Sequence, residues 1–228
     1  MPLADRVVAV VGAGGGLGTP IVRALTARGA HVVAAGRDGA RLAALGTGGP
    51  VVRLDVRDAD AGDALVGAAV SAHGRLDGVV NAAGVVAFGA LADTDDVVIE
   101  ELFLTNVMGP LWLLRRCLPQ LVANSGFVAN VSAVVAEAPL PGMAAYAASK
   151  AALTAADAAL TRELRRSGVR VLDVRPPHAD TGLASRPLAG TAPRLPVGVD
   201  PHHVATVVVD ALDADPIPSE LPSTAFGR

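Results

Sequence analysis

The 228 residues carry a formal net charge of -3 with arginines scattered along the chain, so no basic patch marks a nucleic-acid surface. Apolar residues make up 51% of the chain, yet no unbroken apolar run approaches the roughly 20 residues of a membrane span, and no export-signal pattern opens the chain. A soluble, cytoplasmic protein with one domain over 1–228 is expected, and its single cysteine, Cys117, excludes an internal disulfide and reads as a packed, inert thiol.

Residues 7–11 form a β-branched run closed by glycines, and 20–28 then carry apolar residues at helical spacing. The same alternation predicts a strand at 31–35 and a helix at 41–45, then a strand at 51–54 and a helix at 59–72. It continues with a strand at 78–80 and one long helix over 97–122. A strand at 127–131, a helix over 144–166, a strand at 169–174 and a helix over 201–212 complete the series. Strands alternating with helices of this length imply right-handed crossovers, hence an α/β, doubly wound parallel sheet with helices on both faces. Aromatics are only 3% of the chain, so the core must be built from small aliphatic side chains. The irregular stretch 178–199, rich in proline and glycine, directly follows the sixth strand. Ligands in such sheets bind beyond the carboxyl ends of strands, which makes this a candidate substrate loop, although a plain surface loop reads the same.

Two constellations carry chemistry on their own. The first strand runs into Gly12-Ala13-Gly14-Gly15-Gly16-Leu17-Gly18, with Pro20 in the first turn of the following helix. Free N–H groups at a helix N-terminus and close backbone approach at glycines suit a pyrophosphate, though a glycine-rich turn with no ligand is the plainer alternative. Tyr146 and Lys150 lie four apart, on one helical face, where the ammonium is expected to reach the phenol and lower its pKa from near ~10. Tyr146 is thus a candidate general acid/base. Pro110, four residues after Asn106, has no N–H, so the helix should bend there and leave the Asn106 carbonyl free to hold a water.

With Asn81-Ala82-Ala83-Gly84 at the end of the fourth strand and Tyr146-Ala147-Ala148-Ser149-Lys150 opening a helix, the chain resembles the short-chain dehydrogenase/reductase family from residue 7 to about 212. The resemblance implies a Rossmann-type fold and an NAD(P)-dependent oxidoreductase interconverting a ketone or aldehyde and an alcohol. It assigns Tyr146, Lys150 and Asn106 to catalysis, the last through a water linking the lysine to solvent. Gly12, Gly14, Gly15, Gly16, Leu17, Gly18, Asn81, Ala82, Ala83 and Gly84 would hold the cofactor, Lys150 its nicotinamide ribose, Thr181 its carboxamide, and Asp55 with Val56 its adenine. Asp55 as a mere helix cap before Arg57 is the alternative. Where the family places an acid for the ribose of NAD, this chain has Gly36, and the adjacent Arg37 suits a 2′-phosphate, so NADP is favoured over NAD. Gly15 speaks the other way, because NADP-preferring relatives often carry a basic residue there. No metal is assigned.

Two departures stand out. The family serine thirteen residues before the tyrosine is Ala133 here, and Ser132 lies one residue early. A regular strand aims Ser132 away from the reacting oxygen; a bulge or early strand end would rotate it inward, and on that geometry Ser132 joins the catalytic set. Arg175-Pro176-Pro177-His178 replaces a proline-glycine pair, and His178 is a further candidate for substrate contact. The family also implies a homodimer or homotetramer built on the helices around Asn106 and Tyr146. A nucleotide-binding regulator or scaffold with little turnover is the alternative function.

Overall fold

The computed structural model describes residues 2–227. Seven strands form one sheet in which every neighbouring pair is parallel: β1 (Val7–Val11), β2 (His31–Gly36), β3 (Val51–Arg53), β4 (Gly78–Asn81), β5 (Phe127–Val131), β6 (Arg170–Val174) and β7 (Glu220–Leu221). Their spatial order is β3-β2-β1-β4-β5-β6-β7. The chain therefore leaves β1 to one side, returns at β4 on the other, and opens a crevice at the carboxyl ends of β1 and β4.

The helices are α1 (Gly18–Ala27), α2 (Gly39–Ala43), α3 (Ala61–His73), α4 (Asp96–Phe103), α5 (Gly109–Ala123), α6 (Ala144–Glu163) and α7 (Pro201–Asp213). Alternate strand residues feed two cores. Val8 and Val10 of β1 pack with Ile21 and Leu25 of α1 and Val204 and Val208 of α7. Val7, Ala9 and Val11 pack on the other face with Leu65 of α3, Leu113 and Leu121 of α5 and Leu164 beyond α6. Cys117 lies in this second core, where burial pushes its thiol up to about 12.

Three details differ from expectation. The single helix over 97–122 is broken into α4, a π-helical turn at Leu104–Met108, and α5. Pro110 cannot donate to Asn106, and the ladder skips a step, with Gly109 N–H reaching Leu104 O. By length and composition Asp96–Ala123 could cross a membrane, a length that the apolar runs did not reveal; half of its most apolar window is buried inside the fold. The two-residue strand β7 was too short to carry a periodic pattern, and it pairs with β6 through Asp173–Glu220 and Val174–Leu221.

Candidate active site

The glycine turn is shaped by the loops it touches. Gly12 has φ +79°, and a Cβ there would lie 2.8 Å from Ala83 N, so the turns after β1 and β4 press together. A Cβ on Gly16 would lie 2.3 Å from Thr181 O, which places the loop after β6 directly over the turn. Within the turn, Gly15 N–H donates to Gly12 O and Thr19 N–H to Gly15 O. The amides of Gly14, Gly16, Leu17 and Gly18 have no backbone acceptor among the described residues. Gly14, Gly15 and Gly16, with Thr19 and Pro20 of α1, border a cleft of about 740 Å³ whose walls also include Arg23, Arg41, Asp180, Thr181 and Arg186. Free donors and guanidinium groups around a glycine turn fit the pyrophosphate of a dinucleotide.

The catalytic candidates meet at the far side of the same crevice. Tyr146 and Lys150 are 7% and 4% exposed. A Cβ on Gly84 would lie 3.3 Å from both Lys150 Nζ and Asn106 Oδ1, so the loop after β4 lies against both side chains. Asn106 is fully buried. Its Oδ1 accepts from Val85 N–H at 2.9 Å, while its Nδ2 donates to Val85 O and to Ser149 Oγ, each at 3.0 Å. Ser149 Oγ in turn donates to the Tyr146 carbonyl at 2.7 Å. The bend expected at Pro110 is thus a π turn that aims the Asn106 side chain into the site.

Two expectations change here. Lys150 Nζ donates to Val131 O at 2.9 Å, and burial, with no opposing cation, raises the Tyr146 pKa instead of lowering it. The same burial lowers Lys150 to about 8, against the fields of Asp173 and Asp157. Ser132 does not turn inward. β5 stays regular to its end, and the Ser132 hydroxyl donates to Asp173 Oδ1 at 2.6 Å and contacts Val174 O at 3.1 Å, both on β6. Ala133 packs instead against the apolar cluster that contains Tyr146. Alternation along a pleated strand explains both placements.

At the adenosine end, Arg37 is exposed just beyond β2 and forms no ion pair among the described residues. Asp38 caps α2 through Arg41 N–H and pairs with the Arg41 guanidinium at 3.3 Å. The Asp55 carboxylate is occupied locally, accepting from Arg57 N–H at 3.0 Å and from its guanidinium at 2.6 Å, which holds the carboxyl below its usual range. This is a local turn, not a helix cap, because α3 begins only at Ala61. Val56 is buried, and its carbonyl lies 2.5 Å from where a Gly109 Cβ would be. Asn81 is also spent inside the protein: Oδ1 accepts from Ala83 N–H and Nδ2 donates to Asn130 Oδ1, both at 3.3 Å. It shapes the loop that carries Ala82, Ala83 and Gly84. His178 stands 3.8 Å from Asp180 at the base of the 178–199 loop.

A family model described as short chain dehydrogenase matches residues 6–189. The chain belongs to the short-chain dehydrogenase family. An uncharacterized oxidoreductase of Methylorubrum extorquens is 34% identical over 223 residues, covering 90% of each chain. A short-chain dehydrogenase from Streptomyces avermitilis, 29% identical, superposes with a TM-score of 0.85 over 98% of this chain and 90% of that one. A short-chain dehydrogenase from Burkholderia cenocepacia solved in complex with NADP is 26% identical, with a TM-score of 0.85 over 99% and 91% of the two chains. This short-chain dehydrogenase is accordingly an oxidoreductase enzyme with the doubly wound fold of its relatives.

Behind Lys150 the dehydrogenase carries a buried polar group that lies outside the motifs. Asp157 is 1% exposed, accepts from Asn130 Nδ2 at 2.6 Å, and is pushed up to about 8 by burial. Asp173 receives Ser132 and lies 3.2 Å from the Arg175 guanidinium, which also reaches Glu137 at 2.9 Å and Glu220. Asp157 had a signal: Tyr146, Lys150, Leu153 and Asp157 follow a 4-3-4 spacing and share the buried face of α6. Arg175 had none, because apart from Asp173, two residues back on β6, its partners come from the loop after β5 and from β7.

Proposed function

We propose that this short-chain dehydrogenase interconverts a ketone or aldehyde and an alcohol with NADP, Tyr146 acting as general acid in the reductive direction. The observation that carries the reading is that the loop after β4 presses Ala83 on the Gly12 turn and Gly84 against Asn106 and Lys150, which brings the glycine turn and the Tyr146–Lys150 helix to one crevice. Bound in the crevice, the nicotinamide dinucleotide supplies or accepts the hydride. The amides of Gly14, Gly16, Leu17 and Gly18 hold its pyrophosphate end, and Thr181, on the loop pressed against Gly16, holds its carboxamide. Asp55 and Val56, at the end of β3, flank its adenine through their place in the fold. Lys150, positively charged and aimed at the end of β5, holds the ribose hydroxyls. Arg37 takes the 2′-phosphate, a reading supported by its lack of an ion pair and by the NADP bound to the Burkholderia relative.

A phenol whose pKa is raised by burial stays protonated at neutral pH and is fit to donate from Oη to the carbonyl oxygen as charge develops there. Asn106 fixes the wall of the site by gripping Val85, and its main-chain carbonyl, freed by Pro110, is the reading's route for returning protons to Lys150. Tyr146→Phe should lower kcat at least ~100-fold while leaving NADP affinity within about twofold, measured by fluorescence titration. Retention of a tenth of kcat would assign the proton to another donor. The proposed assembly is a homodimer or homotetramer through α4, α5 and α6, where Val97, Met108 and Leu111 are exposed; a monomer by light scattering would exclude it.

A further inference from the structure

A chain of buried hydrogen bonds connects α6 with the turn that faces the glycine loop. Asn81 and Asn130 are register partners near the carboxyl ends of β4 and β5. Their side chains share a sheet face with Val79 and Val128, two residues back on each strand, so a polar rung closes an otherwise aliphatic core. Asn81, Asn130 and Asp157 are 1%, 0% and 1% exposed.

Every link donates in the same direction. Ala83 N–H donates to Asn81 Oδ1 and Asn81 Nδ2 to Asn130 Oδ1, both at 3.3 Å, and Asn130 Nδ2 donates to Asp157 Oδ1 at 2.6 Å. A main-chain N–H can only donate. It therefore turns the Asn81 oxygen toward Ala83, the Asn81 amide turns the Asn130 oxygen toward β4, and the amide left facing α6 requires an acceptor at residue 157. A carboxyl accepts there whether ionised or protonated. Asp157 Oδ2 has no partner among the described residues, and Lys150 Nζ is bonded to Val131 O, so the carboxyl serves the chain and not the lysine. At the other end Ala83 N lies 2.8 Å from where a Gly12 Cβ would be, and Ala82 N–H donates to Val11 O at 2.9 Å. The turn held by Asn81 is thus one wall of the glycine turn.

Resting on the dinucleotide reading of this crevice, we propose that Asp157 is a positioning residue for the cofactor: as terminal acceptor of the Ala83–Asn81–Asn130 chain, it holds the turn after β4 in the conformation that receives NADP. Without that acceptor the Asn130 amide is buried and unpaired. It regains a partner only by rotating, and the rotation sets the Asn81 amide against Ala83 N–H, donor facing donor.

Two variants separate the acceptor from the charge. Asp157→Asn keeps an acceptor and should bind NADPH within about twofold of the wild type, whereas Asp157→Leu should raise Kd about 5- to 10-fold, the worth of one hydrogen bond, measured by fluorescence titration. Amide hydrogen exchange gives a readout that general loosening does not imitate: in Asp157→Leu the Ala83 amide should exchange faster while the amides of the β5 ladder keep their wild-type rates. Equal acceleration throughout, an unchanged Kd, or an Asp157→Asn protein as weak as Asp157→Leu overturns the inference and leaves the dinucleotide reading standing. A wild-type chain that binds no nicotinamide dinucleotide overturns both.

A titration of the wild type followed by NMR needs no variant that could fail to fold. Asp157, within the fields of Lys150 on its own helix and Asp173 on β6, ionises at about 8, and the carboxylate is a stronger acceptor than the acid. The Asn130 and Asn81 side-chain amides and the Ala83 amide should shift with one midpoint, in a step that Asp157→Asn lacks. A step that stops at Asn130, or one of equal size in Asp157→Asn that would belong to Lys150, overturns the proposal.

Discussion

Replacing Ala133 by serine places a hydroxyl on the wall that faces Tyr146, because residue 133 packs into the cluster containing the phenol while the preceding side chain is turned to the opposite face. If that hydroxyl reaches the carbonyl oxygen, it adds a second donor as negative charge develops. A neutral hydrogen bond is worth about 0.5–1.5 kcal/mol, and a donor aimed at an oxyanion about 2.7–4 kcal/mol. Ala133 sits at a strand end with extended backbone, φ -173° and ψ 161°, which serine adopts without strain. An intermediate gain of roughly 2 kcal/mol corresponds to about 30-fold in kcat. Ser132→Ala makes the contrasting case. It removes the donor to Asp173, whose carboxylate keeps Arg175, and should cost about 1–3 kcal/mol of stability while leaving kcat within about threefold. Steady-state NADPH oxidation for both variants on one aldehyde, with melting temperatures alongside, decides the matter. A tenfold loss of kcat in Ser132→Ala without a change in melting temperature would refute the reasoning and return Ser132 to the catalytic set.

Arg37→Asp should reduce the NADPH-to-NADH ratio of kcat/KM by about 10- to 100-fold, since the 2′-phosphate exchanges a charge-assisted partner for a repelling carboxylate; an unchanged ratio places the phosphate elsewhere. Asp157 has a folded-state pKa raised to about 8 against roughly 3.9 unfolded. Its contribution is complete below the lower value and is lost as pH rises through the upper one, so Asp157→Asn, which keeps the acceptor for Asn130, should stabilise the protein more at pH ~9 than at pH ~5. Equal melting-temperature differences at the two pH values would show that Asp157 is ionised throughout. Gly190→Ala should loosen the 178–199 loop through its 1.8 Å collision with Phe88 O, exposing 182–192 to limited proteolysis; unchanged proteolysis would mean that the loop is held by its other contacts.

The sheet was legible because β-branched runs such as Val7–Val11 and Phe127–Val131 alternate with helices long enough to show their period, and both boundaries match the structure. The Tyr146–Lys150 spacing likewise survives, since helical geometry brings the pair to one face whatever surrounds it. What failed concerns partners from distant chain. Lys150 could not be seen to choose the Val131 carbonyl, nor Ser132 to find Asp173, because both contacts depend on the register of β5 against β6 and on α6 lying across them. The pleat rule did indicate the direction of Ser132, and the bulge that would have overruled it is absent from β5. Pro110 announced an irregularity, but a π turn and a kink satisfy the same missing donor, and the sequence does not choose between them.

Asn106 bears on how mutants of this enzyme are interpreted. One amide grips both backbone atoms of Val85, and with them the wall of the site, and through Ser149 it holds the first turn of the helix carrying Tyr146. Removing it cuts three fastenings at once, so a slow Asn106→Ala enzyme would confound broken scaffolding with interrupted proton supply. Only solvent isotope effects, compared between Asn106→Ala and Ser149→Ala, can assign the lost rate to one or the other.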